Sequence, residues 1–294
     1  MDTGHGTHLP PLSMTSFPRV GIIVLNWNGW ADTRKCLQSL FRLSGAPPQI
    51  YVVDNGSNDD SVRKLREEFG DRFVLIANSR NLLYAGGNNV GMLRALADGC
   101  THILLLNHDT VVDEGLVAAL ISASAGQPEA ILCPKIFYAN QPQVLWYAGG
   151  KLSLRRARVT HRGIRETDRG QYDRLEETEW ATGCALFAPR HVFETVGLLD
   201  ESFELYSEDL DYCLRAKEAG FRIFYVPAAK VWHKVSSSVG GNLSRRKIVR
   251  KWKSLRRLLR KHQPNPFARF LALSDFVFTE TFRVAFGFIS GRLR

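Results

Sequence analysis

Val20-Gly21-Ile22-Ile23-Val24-Leu25-Asn26-Trp27-Asn28-Gly29 is an apolar run that breaks abruptly into a polar, glycine-closed segment. The apolar part is too short for a buried helix, and aliphatics on both faces mark a strand buried on both sides. It reads as a central parallel strand that empties into a loop at its carboxyl end. Outward from it the same unit repeats. A helix over residues 31–43 sets Leu37, Leu40 and Phe41 at helical spacing, and Ile50–Val53 forms a second strand stopped by Asp54-Asn55-Gly56-Ser57-Asn58. A helix carrying Val62, Leu65 and Phe69 leads to a third strand, Phe73–Ala77. Residues 88–98 read as a helix, Ile103–Leu106 as a fourth strand ending in Asn107-His108-Asp109-Thr110, and residues 113–124 as a further helix. Alternation at about 25–30 residues per unit predicts an α/β fold, a doubly wound and mostly parallel sheet with helices on both faces. Ligands of such sheets sit beyond the carboxyl ends of the strands. Three of the four strands end there in polar loops.

The second half is less regular. Ile131–Phe137, Val144–Ala148 and Trp180–Ala188 read as strands, residues 155–179 as a polar loop or weak hairpin, and Pro189 as the first turn of a helix. A helix over 208–219 begins Ser-Glu-Asp, and Phe221–Val226 and Lys230–Trp232 complete the domain. With 294 residues, 45% of them hydrophobic, the chain can bury a sizeable core. Residues 1–18 lack the basic start and apolar run of a signal peptide. They are mostly Gly, Pro, Ser and Thr and are expected to be disordered. The chain thus divides into a terminus over 1–18, a domain over 19–240 and a tail over 241–294. Cys36, Cys100, Cys133, Cys184 and Cys213 show no metal-binding spacing and read as reduced, buried thiols of a cytosolic protein.

The net charge of +10 is unevenly placed: residues 241–263 carry ten Lys or Arg and no acid. The domain before them is close to neutral, which argues against a nucleic-acid partner, since that role needs a basic face. Within the tail, Ile248, Trp252, Leu255 and Leu259 fall near one helical face, and seven of the seventeen phenylalanines follow over 266–290. Residues 245–261 read either as an amphipathic helix on an anionic membrane or as a helix packed on the domain with solvated charges. No stretch of about 18 residues is free of charge, so no transmembrane helix is expected.

Five segments can carry chemistry. Asp109 follows a strand, where a carboxylate either caps the next helix or holds Mg2+ or Mn2+ beside a diphosphate. Asp54 opens a capped turn or accepts bonds from a ribose or base. Asn81–Asn89, with Gly86 and Gly87, is an ordinary turn or brings backbone N–H groups to a phosphate or sugar. Glu208, Asp209 and Asp211 crowd a helix start, which the helix dipole favours, while their mutual repulsion can raise one pKa and poise a base. His233 follows a late strand and is structural or ligating according to what it faces.

In chain order, Asn26-Trp27-Asn28-Gly29, Val52-Val53-Asp54-Asn55-Gly56-Ser57, Ala85-Gly86-Gly87-Asn88-Asn89, Leu105-Leu106-Asn107-His108-Asp109-Thr110, Thr182-Gly183-Cys184-Ala185-Leu186-Phe187, Ser207-Glu208-Asp209-Leu210-Asp211 and Trp232-His233 resemble the family 2 inverting glycosyltransferases. The likeness is greatest to the rhamnosyltransferase-like bacterial members that build cell-surface polysaccharides. It implies a GT-A fold and transfer of a hexose, rhamnose being one candidate, from a nucleoside-diphosphate sugar to a glycan or lipid-linked acceptor. It also implies that Asn26, Trp27, Asn28 and Asp54 line the nucleotide pocket and that Asn81, Gly86, Asn107 and Gly183 lie on the donor side. Asn107 stands where the family's D-x-D motif has its first acid, so Asp109 is the carboxylate expected on Mg2+ or Mn2+, with His233 completing the shell. Asp209 matches the catalytic base, with Glu208 and Asp211 as supporting acids. Leu83-Tyr84 replaces the usual Gly-Phe, and basic residues follow His233 where related enzymes often have Arg-Asn. The expected location is the cytoplasm, peripheral at the inner face of the cytoplasmic membrane. A nucleotidyltransferase would need a basic phosphate loop after the first strand, yet no Lys or Arg occurs there before Arg34. A non-catalytic sugar- or nucleotide-binding protein would not need Asp109, Asp209 and His233 together.

Overall fold

The computed structural model describes residues 18–235 and 245–289. The terminus expected to be disordered lies outside them but for Pro18. In chain order the elements are β1 (Val20–Asn26), α1 (Trp30–Leu40), β2 (Gln49–Asp54), α2 (Ser61–Phe69), β3 (Val74–Ala77), α3 (Leu83–Ala97), β4 (His102–Asn107), β5 (Thr110–Val112), α4 (Leu116–Gly126), β6 (Ala130–Tyr138), β7 (Gln141–Tyr147), β8 (Gly150–Ser153), β9 (Arg158–His161), β10 (Glu176–Glu177), β11 (Ala185–Pro189), α5 (Arg190–Val196), α6 (Glu208–Glu218), β12 (Arg222–His233), α7 (Arg245–His262) and α8 (Pro266–Ile289).

The main sheet runs β10-β12-β6-β11-β4-β1-β2-β3, with β5 added to β12 and β7 to β6. β1 lies between β2 and β4, parallel to both, as its two-sided apolar run requires. Ile22, Ile23 and Val24 are fully buried there. The expected mostly parallel sheet holds for this half and not beyond it. β11 runs antiparallel to β4 and β6, so the sheet as a whole is mixed.

Several boundaries moved for physical reasons. α3 starts at Leu83 rather than near residue 88, which puts Gly86 and Gly87 inside the helix. A Cβ at Gly87 would strike Leu25, and one at Gly91 would come within 2.6 Å of Ile23. The glycines let α3 settle close on the sheet, which offsets their poor helix propensity. The helix expected from residue 113 starts at Leu116, because Thr110–Val112 pairs with β12 first. The two expected late strands are one, β12, with an irregular register between Val226 and Lys230, where Pro227 has no N–H to give the ladder. Of the apolar run Trp180–Ala188, only the part from Ala185 is strand. Residues 155–179 contribute β9, paired with β8 as a separate hairpin, and the short strand β10.

All five cysteines are buried and unpaired. Part of the apolar face of α7 packs on the protein. Leu258 joins the main core, and Leu255 and Leu259 pack with Ala272 of α8. Of the stripe that suggested membrane contact, Leu255 and Leu259 are thus buried in the protein, while Ile248 and Trp252 stay partly exposed. No helix among the described residues is long and apolar enough to cross a membrane.

Candidate functional site

Parallel register gathers the carboxyl ends of three strands. Asn26 stands opposite Asp54, and Leu25 opposite Asn107. Buried Asn26 donates to Asp54 at 2.7 Å and accepts from Thr33 Oγ1 at 2.7 Å. Asp54 in turn accepts from the Ser57 N–H at 2.9 Å, and Ser57 Oγ accepts from the Asn28 N–H at 2.8 Å. Asn28 adopts a left-handed φ of 49° and caps the facing loop, accepting from the Asn58 N–H at 2.9 Å. This cross-bonding leaves Trp27 exposed at the rim. It makes the two loops one rigid wall, of the kind a nucleotide base or ribose can lean on.

A second layer was not legible in advance. Asn55 donates to Asn81 Oδ1 at 3.0 Å and to the Leu83 carbonyl at 2.9 Å, and it accepts from the Leu82 N–H at 3.0 Å. It therefore positions the start of α3. Asn81 joins that network, whereas Gly86 sits within α3 against Leu82 and Glu201. His108 packs over Gly29, where a Cβ would come within 2.6 Å of its Nε2. The turn-like composition of Asp54–Asn58 concealed Asn55, since any D-N-G-S reads equally well as an isolated turn.

Asp109 and His233 meet because β5 pairs with β12, setting Thr110 opposite His233. Asp109 Oδ1 lies 3.1 Å from His233 Nε2, and both residues are buried. That is the distance of a hydrogen-bonded ion pair with Nε2–H donating to Asp109, and a cation could take the proton's place only with the imidazole neutral. His233 Nδ1 is buried without a hydrogen-bond partner, and Trp146 holds the ring edge-on at 4.8 Å between centroids. Burial works against a charge on His233. Cys184 and Asp109 outweigh it and lift the imidazole to about 10. Burial pushes the Cys184 thiol up as well, so at neutral pH it is uncharged and the Asp109 carboxylate is the effective partner. Among the described residues no group of three or more His, Cys, Asp or Glu side chains is gathered to hold a metal. A cation here would need further ligands from a diphosphate or water.

The acid pair is reached through the segment Gly183-Cys184, whose Cys184 carbonyl accepts from the Asn107 N–H at 2.9 Å. Asp209 accepts from the Gly183 N–H and the Leu210 N–H, each at 2.9 Å. Gly183 also accepts from Tyr84 OH at 2.5 Å through its carbonyl. Gly183 thus bridges α3 and α6, and a Cβ there would come within 2.7 Å of Tyr84 OH. Burial, then the neighbouring Asp209 charge, raises Glu208 to about 8. Burial also raises Asp209. Of the two, Asp209 is the carboxylate at neutral pH, because it has two N–H donors while Glu208 Oε2 is buried with no partner.

Asp211 does not join this pair. It is fully buried and accepts from Arg215, Lys261 and His262, each at 2.8 Å. Burial alone would raise its carboxyl, and these three partners bring it below the usual range. Its work is to pin the end of α7 to α6.

The model of the family described as glycosyltransferase like family 2 matches residues 18–254. Over 214 residues the chain is 26% identical to the low-salt glycan biosynthesis hexosyltransferase of Haloferax volcanii, covering 72% of this chain and 66% of that protein. It is 26% identical over 238 residues to the N-acetylglucosaminyl-diphospho-decaprenol L-rhamnosyltransferase of Mycobacterium tuberculosis, covering 74% of this chain and 77% of that one. The dTDP-rhamnosyl transferase of Shigella flexneri is 22% identical over 237 residues, with 78% and 76% covered. Among solved structures, a mannosyltransferase from Pyrobaculum calidifontis in complex with GDP-Man and Mn2+ has a TM-score of 0.61 at 15% identity, over 95% of this chain and 82% of that one. GalNAc-T7 with UDP, GalNAc and Mn2+ gives 0.67 at 15% identity, over 84% and 48%. Both carry the GT-A fold, which this chain shares.

Proposed function

The chain belongs to the glycosyltransferase-like family 2, and on that footing we propose that it moves rhamnose or another hexose from a nucleoside-diphosphate donor to a glycan or lipid-linked acceptor with inversion. The observation that carries this reading is that Gly183-Cys184 joins two buried pairs: the Gly183 N–H donates to Asp209 of the Glu208–Asp209 acid pair, and the Cys184 carbonyl accepts from the N–H of Asn107, two residues before Asp109 of the Asp109–His233 pair. One pair suits the leaving group and the other suits the attacking hydroxyl.

The donor's nucleoside lies along Asn26, Trp27, Asn28 and Asp54, with Asn81, Gly86, Asn107 and Gly183 toward the diphosphate and sugar. Asp209 takes the proton from the acceptor hydroxyl. The freed oxygen pair attacks the anomeric carbon from the face opposite the diphosphate, and the bond to the diphosphate breaks with its electrons going to the leaving oxygen. Asp109, and His233 once its imidazole gives up its proton, would hold Mg2+ or Mn2+, and the ion would offset the charge of the departing diphosphate. The Mn2+ in two solved structures of the same fold supports that assignment. Glu208, kept neutral by burial, spares Asp209 a second negative charge beside it.

A peripheral position at the inner face of the cytoplasmic membrane, in polysaccharide assembly, belongs to the same reading. It is supported by the cations of α7 and by exposed Phe267 and Phe270 on α8. A thermal-shift screen of nucleoside-diphosphate sugars with and without Mn2+ tests the donor assignment. One nucleotide sugar should raise Tm more with the ion than without it. If none does, the transfer reading fails.

A further inference from the structure

Helix α7 lies along the loop that leads into α6, and Ser254 Oγ donates to the Leu205 carbonyl at 2.7 Å. Beside this contact is a groove of about 300 Å3 lined by Arg250, Lys253, Arg256, Arg257 and Arg260, with Trp252 as an apolar side. The acid among its lining residues is Glu204. α7 sorts its charges sharply. Lys261 and His262 are matched by Asp200, Asp211 and Glu218. Among the described residues, none of the five groove cations is ion-paired. Like charges collected around a concavity repel one another and raise the local potential, and an anion entering the groove relieves both. Guanidinium groups match phosphate oxygens in pairs of parallel hydrogen bonds. Two of them are already steadied by aromatic faces: Arg256 over Trp252 at 5.4 Å and Arg257 over Phe203 at 6.0 Å.

The groove is tied to the catalytic end of α6. From its wall residue Glu204 the chain runs through Leu205, Tyr206 and Ser207, the last two with left-handed φ angles of 70° and 69°, directly into Glu208 and Asp209. Such angles strain a non-glycine residue, so packing against α7 maintains this turn. We infer that the groove binds the phosphate or diphosphate group of an anionic acceptor and anchors it beside the acid pair. That the phosphate is the acceptor's rests on the transfer reading above, whereas the groove as a phosphate site does not.

The test is calorimetric titration of the full chain with inorganic pyrophosphate in EDTA, so that no metal recruits the anion to Asp109. Arg256→Gln/Arg260→Gln and a control pair on the β8–β9 hairpin, Arg155→Gln/Arg158→Gln, are titrated alongside. All four arginines are exposed, and circular dichroism checks that each variant is folded. The expected result is saturable one-to-one binding, weakened about tenfold or more by the groove pair and unchanged by the control pair. Absent saturation, or equal weakening by both pairs, means diffuse charge attraction and overturns the site. Sedimentation with phosphatidic acid in phosphatidylcholine vesicles then separates the sources. Release of the protein from vesicles by pyrophosphate identifies a lipid headgroup as the occupant, and pyrophosphate binding without vesicle binding identifies a soluble phosphorylated acceptor. Neither arm measures transfer, so a failed groove leaves the donor site untouched.

Discussion

Replacing Asp209 by Asn removes a proton acceptor and little else. The carboxylate takes two backbone N–H bonds, from Gly183 and Leu210, and the amide oxygen of Asn can keep one of them. Losing the other costs about 1–3 kcal/mol, since it is a bond to a charged group. Against this, burial holds the Asp209 carboxyl above its ordinary value, so its charge is less comfortable here than in water, and a neutral side chain recovers that penalty. Asp209 keeps partial solvent contact, so the recovery is smaller than for a sealed acid, on the order of 1–2 kcal/mol. The two effects nearly cancel, and Tm should stay within about 4 °C of the parent. Turnover should fall about 10²–10⁴-fold, the usual share of a general base, equivalent to ~3–5 kcal/mol of activation free energy. Nucleoside diphosphate release at saturating donor reads the chemistry, and a thermal melt with nucleotide titration reads the scaffold. Turnover within about threefold of the parent refutes the base assignment. A collapse of Tm refutes the stability argument.

Asp109→Ala should abolish the gain in nucleoside diphosphate affinity that Mn2+ confers, while metal-free affinity stays close to the parent's. Calorimetry in both conditions reads this, and an undiminished Mn2+ effect contradicts it. Glu208, an acid raised to about 8, binds its proton in the folded state and gives it up in the unfolded state above ordinary carboxylate pKa values. Its contribution to stability is therefore full below about pH 4 and is lost as pH rises toward 8. Denaturant melts across that window should flatten in Glu208→Gln, and an unchanged slope counts against the buried neutral acid. Asp211→Asn strips a buried carboxylate from Arg215, Lys261 and His262 and should cost about 2–4 kcal/mol, below the fully buried figure because Lys261 is partly exposed. Limited proteolysis should then cut within α7 faster, and parent-like protection would mean that the pin is not needed. Gly183→Ala drives a methyl toward Tyr84 OH and should cost about 1–3 kcal/mol, with the Tyr84 bond broken and turnover reduced. A parent-like melt and rate would show that the bridge is slack.

The parallel half was readable because its signals are local. Two-sided apolar strands and polar strand ends announce the sheet and its carboxyl edge, so the positions of Asn26, Asp54 and Asp109 at or just past strand ends were readable together. What stayed hidden depends on pairings distant in sequence. That β11 runs antiparallel between β4 and β6 is not encoded in Ala185–Pro189 itself. The meeting of Asp109 with His233 needs β5 to pair with β12, a strand more than a hundred residues away. Asp211 looked like a third active-site acid because it shares a helix turn with Asp209, and only the packing of α7 reveals its other partners. Gly87 looked like part of a turn because the same residue that breaks a helix also permits close helix–sheet packing.

Metal-assisted displacement with inversion can be tested before any acceptor is known. Given its nucleotide sugar and Mn2+, the protein should release free sugar slowly with water as acceptor, and NMR during the first minutes reads which anomer forms before mutarotation. Inverting displacement yields the anomer opposite to that of the donor, formed far more slowly by Asp209→Asn. A first-formed sugar with the donor's own configuration would contradict it.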